Sequence, residues 1–427
     1  MSTITRFPML DETGQEIVKQ LGQIVSAIGR KTYHLYGFHI NGNESNPANM
    51  VTYLEDAVGM TPAYMDFTND VFNYGSWADA FFMPRPCILG MDGQVRNYLN
   101  PNDYTKDING NTVAIDDTLT DANVMIEFPK IYYKVVADSN DDKSGSVYIS
   151  DYKIDGDFKD YAYIDDSGVH KEHFYMPAYN SSYDTNDKMR SISGAQVGKS
   201  LNATTEISRA QANGTGWYTE DAGEAMLINF LLVLMGKSTN TQAVFGQGLN
   251  TSGDETVNDD FRTGVHNTKG LFYGTNSGAA DTYTNAVKIF GIENWWGFQW
   301  RRYAGDINVS GTRKIKLCKS REDGSSVDMF NTTGDGYVDI GVTPSGTSGG
   351  YISQMKFISD KGMFSVVSSG SQTTYYCDGQ WFNNAQTDYA VRGGASNAGA
   401  LVGAFCVALN YTVGFAYWGI GASLSFK

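Results

Sequence analysis

The chain has 427 residues, a formal net charge of -15, 47 glycines and 27 tyrosines, and only 19% of its residues are charged. This length allows two or three domains with a substantial core, and the composition is typical of a loop-rich, largely β or mixed protein, not of a helical bundle. Nucleic-acid affinity comes chiefly from Lys and Arg that neutralise phosphates. The acidic balance therefore disfavours DNA or RNA as a partner.

Residues 1–30 carry apolar side chains at a helical spacing. The side chains that fall along one seam are Leu10, Ile17, Leu21, Ile24 and Ile28. This spacing predicts an N-terminal helix. Because it covers fewer than three heptads, two interpretations stay open: a short coiled coil that makes the protein a homo-oligomer such as a trimer, or one amphipathic helix packed on the body.

Residues 31–121 alternate short apolar runs with clusters of Asn, Asp, Gly and Pro. This pattern predicts short strands and turns, so we expect a small β-rich attachment or linker region, followed by a larger domain over residues 122–427. Val124–Val136 give the clearest strand signal, and Pro129 within them indicates an edge or a bulge.

A helix is predicted from Glu220 to Met235, with Thr219 as the N-cap and Gly236 as the C-terminal stop. Its dense apolar run indicates burial on most sides. It is shorter than the ~20 residues needed to cross a bilayer, so no membrane insertion is predicted. We expect surface loops over residues 236–285 and recurring short strands over residues 286–427.

Sequence patterns typical of metal sites do not occur in a suitable context. His170 and His173 flank Glu172 in a segment that predicts loop and strand, not a metal-binding helix. The acidic segment 155–160 offers three carboxylates, the ligand type that Ca²⁺ prefers, but it lacks the EF-hand pattern. A solvated acidic turn is the main interpretation and a Ca²⁺ site the alternative. We predict no catalytic residue and no other cofactor.

The segment 390–427 has the most unusual composition in the chain. It opens on Arg392-Gly393-Gly394, and between Gly393 and Ala422 it contains no Lys, Glu, Asp, Gln or Met. An ordinary glycine-rich pair of buried strands would have the same composition, and is the alternative to an exposed surface.

A dense aromatic block precedes this segment along the chain. Its members are Trp295, Trp296, Phe298 and Trp300. Such residues bury large apolar areas, so core packing is the main interpretation and ligand stacking the alternative.

These segments resemble the C-type-lectin fold of the formylglycine-generating-enzyme type. Glu293–Trp300 are similar to the family's Gly-Asn-Val-Trp-Glu-Trp motif, Val391–Ser396 to its Arg-Gly-Gly-Ser-Trp segment, and Gly419–Ser423 to its closing Ile-Gly-Phe-Arg. The Trp after Gly-Gly-Ser and the closing Arg are missing. The resemblance implies an α+β fold whose lectin-like domain covers residues 122–427, and it is most similar to the variable proteins of diversity-generating retroelements.

In those variable proteins, mutagenesis strikes template adenines. AAC and AAT codons can then become small, aliphatic, polar or aromatic residues, but never Lys, Glu, Gln, Met or Trp. Residues 393–422 fit this alphabet except at Trp418. The resemblance implies a variable ligand-binding face within residues 390–422, formed by Ala395, Asn397, Leu401, Cys406, Ala408, Asn410, Tyr411, Val413, Phe415 and Tyr417. It also implies a fixed scaffold of Trp295, Trp296, Trp300, Arg392, Gly393, Gly394 and Trp418.

The resemblance implies a receptor-binding or ligand-binding protein and not an enzyme. Because no conventional secretory signal opens the chain, we expect it on a phage tail or, alternatively, on a bacterial cell surface. Its partners would be a host cell-surface protein or glycan and other phage tail proteins. Two alternatives stay open. The first is a formylglycine-generating or sulfatase-modifying enzyme, although nothing around Cys377 and Cys406 resembles the surroundings of that family's catalytic cysteine pair. The second is a non-variable carbohydrate-binding tail module whose sugar binding depends on Ca²⁺ or on Trp296.

Overall fold

The computed structural model describes residues 20, 33–251, 253–280, 282–342 and 344–427. The chain divides into two compact units, Met1–His34 and Leu35–Lys427. The predicted helix over residues 1–30 lies outside the described residues, apart from Gln20. The described part of Leu35–Lys427 is a mixed α+β protein with mostly sheets and few helices.

The first sheet has four antiparallel strands in the spatial order β2-β1-β10-β9. They are β1 (Leu35–Ile40), β2 (Val51–Glu55), β9 (Tyr132–Asp138) and β10 (Asp141–Ser150). The described residues also form three two-stranded sheets: β3 (Tyr64–Asp66) with β4 (Val71–Asn73), β12 (Ser182–Tyr183) with β13 (Met189–Arg190), and β15 (Lys288–Ile289) with β16 (Ile292–Glu293).

The second sheet has seven strands in the order β14-β27-β11-β8-β5-β6-β7. They are β5 (Arg85–Gly90), β6 (Val95–Asn100), β7 (Asp103–Asp107), β8 (Ala122–Pro129), β11 (His173–Pro177), β14 (Trp217–Thr219) and β27 (Leu424–Phe426). Strands from residues 35–121 and from residues 122–427 therefore share one sheet within one compact unit.

The third sheet has ten strands and curls. Along its main path the order is β19-β18-β17-β24-β25-β23-β21-β22-β20, and β26 pairs with β17. The strands are β17 (Trp300–Val309), β18 (Thr312–Ile315), β19 (Val338–Val342), β20 (Ser345–Gly346), β21 (Gly350–Ile358), β22 (Gly362–Ser368), β23 (Gly379–Phe382), β24 (Thr387–Arg392), β25 (Val407–Leu409) and β26 (Ile420–Ala422).

The described helices are short except for one. They are α1 (Pro47–Met50), α2 (Ala203–Gln211), α3 (Ala222–Gly236), α4 (Thr241–Phe245) and α5 (Glu255–Asp260). None of these five is both long and apolar enough to cross a bilayer. In α3 the N-cap is Asp221 and not the predicted Thr219, because the Asp221 carboxylate accepts from the Glu224 amide while the Glu224 carboxylate accepts from the Asp221 amide.

Helix α3 lies in the main apolar core and connects it to the C-terminal segment. Two rings of the first sheet, Phe38 of β1 and Tyr133 of β9, pack against Phe230 of this helix, with centroid distances of 6.4 and 5.6 Å. On the same helix the Asn229 amide donates to the Ala404 carbonyl at 2.7 Å and accepts from the Trp295 indole at 3.1 Å. The helix therefore positions the aromatic block and the loop before β25.

Candidate ligand-binding face

A buried ion-pair network anchors the start of the C-terminal segment. Glu220 is 0% exposed, and its carboxylate accepts hydrogen bonds from Arg301 at 2.8 Å and from Arg392 at 2.9 and 3.0 Å. Burial acts to raise the pKa of Glu220, but the two guanidinium groups outweigh it and lower that pKa. The Arg392 guanidinium also lies 3.5 Å from the centre of the Trp295 ring. Arg392 is thus held both by the Glu220 carboxylate and by the Trp295 ring.

The two glycines after Arg392 form a turn that other residues cannot adopt without strain. Gly393 and Gly394 have φ of +82° and +84°, in the region that favours glycine. A Cβ at Gly393 would lie 3.0 Å from the Trp295 carbonyl oxygen, and one at Gly394 would lie 2.6 Å from Val402. The turn therefore places the backbone directly on the aromatic block.

The exposed loop 410–418 is held on the body through its backbone. Groups outside this loop donate hydrogen bonds to its carbonyls. The backbone amides of Tyr389, Ala203 and Ser200 donate to Tyr411, Val413 and Tyr417 at 2.9, 3.1 and 3.2 Å, the Arg302 guanidinium donates to Phe415 at 3.0 Å, and the Asn258 side-chain amide donates to Trp418 at 3.2 Å. Because main-chain oxygens make these bonds, the loop's side chains can change without breaking them.

Aromatic rings line the outer surface of this region. We call Trp381, Tyr411, Phe415, Tyr417 and Trp418 the aromatic face. Successive ring centroids from Tyr411 to Phe415, Tyr417 and Trp418 are 4.9, 6.2 and 5.0 Å apart. Phe415 is 38% exposed and the other four are partly exposed. These exposed and partly exposed rings, with their phenol and indole groups, can bind a ligand by packing and by hydrogen bonds.

The structure separates the ten residues predicted for the variable face into three groups. Asn397 and Phe415 are exposed. Leu401, Asn410, Tyr411, Val413 and Tyr417 are partly exposed, and Val413 packs towards the cluster that contains Tyr389.

The prediction is wrong for Ala395, Cys406 and Ala408, which are 0%, 1% and 0% exposed. These three belong to the apolar cluster on which Tyr411, Tyr417 and Trp381 pack. In β25, Ala408 pairs with Val391 of β24 and with Trp381 of β23, so β25 runs between two neighbouring strands of the third sheet. The three residues form the layer beneath the aromatic face.

The residues predicted as scaffold are buried, with one exception. Trp295, Trp296, Trp300, Arg392, Gly393 and Gly394 lie in the interior, whereas Trp418 is partly exposed and belongs to the aromatic face. Sequence reasoning missed Trp381, whose ring meets that of Trp300 edge to face at 5.2 Å. Its position depends on the parallel pairing of β23 with β25, which no local sequence pattern reveals.

The two thiols of the enzyme alternative do not have the properties of reactive cysteines. Cys377 and Cys406 are free and buried. Burial raises the pKa of Cys377 to about 12 and that of Cys406 far above its usual value. A reactive cysteine needs a lowered pKa and partial exposure, so both thiols stay protonated.

The carboxylates of the acidic segment 155–160 are paired with Lys and His side chains. Lys134 lies 3.3 and 2.7 Å from Asp155 and Asp157, while Asp160 contacts Lys130 at 2.5 Å and His170 at 2.7 Å. Within the described ranges, no cluster of three or more His, Cys, Asp and Glu side chains is arranged to hold a metal ion.

A comparison with known protein families and with curated protein sequences finds no match for this chain.

Proposed function

We propose that this chain is a receptor-binding or ligand-binding protein, displayed on a phage tail or a bacterial surface, whose C-terminal segment a retroelement diversifies to change target recognition. One observation carries the proposal. The loop 410–418 is held by its carbonyl oxygens, while the Phe415 ring is exposed and the rings of Tyr411, Tyr417 and Trp418 are partly exposed. A binding surface of this kind separates fold from recognition.

The chemistry of the face suits contact with a host protein or glycan. Tyr and Trp supply large contact areas at low entropic cost, and Asn adapts its hydrogen bonds, as in antibody paratopes. The segment 393–422 contains no Asp, Glu, Lys or Arg. Recognition therefore relies on shape, apolar packing and neutral hydrogen bonds, and several copies on one particle would raise the avidity.

Alanine variants test whether the aromatic face binds. Phe415→Ala and Tyr417→Ala should each weaken attachment of the full chain to host cells by about 30-fold, which corresponds to the ~2 kcal/mol of an aromatic hot spot. Tyr64, an aromatic residue of β3 that is 45% exposed, provides the matched control. Equal attachment by Tyr64→Ala, Phe415→Ala and the unchanged protein would exclude the face as the binding site.

Gene sequences from sister isolates test diversification. Codon changes should concentrate at Asn397, Leu401, Tyr411, Phe415 and Tyr417. The buried Ala395 and Ala408 should stay small. Uniform codons across residues 390–422 would remove the diversification claim and leave a fixed binding module.

A non-variable carbohydrate-binding module is the second candidate function. Trp381 favours it, because this residue is partly exposed and an indole at the surface can stack on a sugar ring. Trp296 cannot take this role, since it is 0% exposed and its indole donates to the Gly246 carbonyl. Glycan-array binding that Trp381→Ala abolishes, together with invariant codons among isolates, would establish this candidate over the first.

A further inference from the structure

Two adjacent arginines of β17 hold different parts of the C-terminal segment. Arg301 and Arg302 are 1% and 2% exposed, and each pairs with a buried glutamate. Arg301 shares Glu220 with Arg392 and so belongs to the network at the start of the segment. Arg302 pairs instead with Glu206 and reaches the loop 410–418.

Arg302 bridges a carboxylate and the loop backbone. Its Nε donates to Oε2 of Glu206 at 2.5 Å, and its Nη2 donates to the carbonyl oxygens of Phe415 at 3.0 Å and Leu201 at 3.3 Å. Glu206 lies on α2, and Ala203, the first residue of this helix, donates its amide to Val413. Helix α2 and Arg302 therefore hold the loop at two points, Val413 and Phe415.

Phe415, whose carbonyl Arg302 binds, lies in the middle of the rings of the loop. Phe415 is the exposed ring between Tyr411 and Tyr417, so a displacement of its backbone would separate the ring contacts on both sides. Only a guanidinium has the rigid fork that satisfies a carboxylate and a carbonyl together, because a Lys ammonium is a single point donor on a flexible chain.

We propose that Arg302, held by Glu206, is a positioning residue of the aromatic face: it fixes the loop backbone at Phe415 from beneath and contacts no ligand. The inference rests on the proposed function for its role in binding. Its structural consequence, however, can be measured without any ligand.

Hydrogen exchange of the full chain, followed by mass spectrometry, tests this inference. In Arg302→Lys, amides in residues 410–419 should exchange about ten-fold faster, the change expected for a lost hydrogen bond of ~1.4 kcal/mol. Glu206→Gln keeps the side-chain volume and should accelerate the same amides to a smaller extent. Arg301→Lys is the matched control, since it replaces the neighbouring buried arginine and should leave residues 410–419 unchanged.

The pattern among the variants decides the outcome. Faster exchange at residues 410–419 in Arg302→Lys and Glu206→Gln, larger than any acceleration in the rest of the chain, supports positioning. If Arg302→Lys does not fold, Glu206→Gln decides alone. Unchanged exchange in the loop, or equal acceleration by Arg301→Lys, overturns the proposal. Failure of the proposed function has a different signature: the unchanged protein would attach to no host cell while its loop still responded to Arg302→Lys.

Discussion

Replacement of Glu220 by Gln should be among the most destabilising single changes in this protein. Glu220 is 0% exposed and is the shared carboxylate partner of Arg301 and Arg392. Removing one member of a buried ion pair costs about 3–5 kcal/mol, because it leaves a charge buried without compensation. Here two charges lose their partner at once, so we expect Glu220→Gln to lower the free energy of unfolding by about 5 kcal/mol, at the top of that range.

Urea unfolding followed by tryptophan fluorescence measures this loss. Glu255→Gln is the matched control, because Glu255 pairs with Lys199 at 2.8 Å but is 58% exposed, and surface pairs contribute at most about 1 kcal/mol. A loss for Glu220→Gln no larger than that for Glu255→Gln would refute the anchoring role that we assign to the network.

Two further changes test the supports of the binding face and of the body. Gly393→Ala should destabilise the protein by about 1–3 kcal/mol in thermal unfolding, because φ at this position is +82°. Gly414→Ala is the control and should be near neutral, since an added Cβ there meets nothing within 4 Å. Equal losses in the two variants would contradict the conclusion that the turn requires glycine at position 393. His170 contacts Asp160 at 2.7 Å and Glu322 at 2.8 Å, and although partial burial lowers its pKa, the two carboxylates raise it more, so that the net shift is upward from 6.5. The pairing of His170 with these carboxylates should stabilise the fold fully below pH 6.5, and this stabilisation should be lost as the pH rises through the higher pKa of the folded state. His170→Gln should remove this part of the pH dependence of stability. The same change of unfolding free energy with pH in both proteins would disprove this prediction.

The sequence predicted elements better than it predicted partners. The dense apolar run was sufficient to predict a buried helix over residues 220–235, and the structure has this helix at residues 222–236. Its N-cap was displaced by two residues because distant arginines bind Glu220 and leave Asp221 to cap the helix. Val124–Val136, the clearest strand signal in the sequence, form parts of β8 and β9 in different sheets, because the chain leaves the second sheet at Pro129.

The composition of residues 393–422 indicated an unusual segment but not which side chains face outward. Small residues such as Ala395 and Ala408 suit a variable surface and a tightly packed interior equally well, and only the sheet pairing distinguishes the two. Trp381 was missed for the same reason, since it lies outside this segment and reaches the aromatic face through β25.

The proposed function requires that the fold does not depend on which side chains the loop 410–418 carries. A library that replaces Tyr411, Phe415 and Tyr417 with Ala, Ser, Asn, Tyr, Phe and Val should be sorted for stability and for ligand binding. We predict that most members unfold within about 1 kcal/mol of the parent, while binding varies widely among them. A library in which stability falls with nearly every replacement would contradict the account, because it would show that these rings hold the fold together.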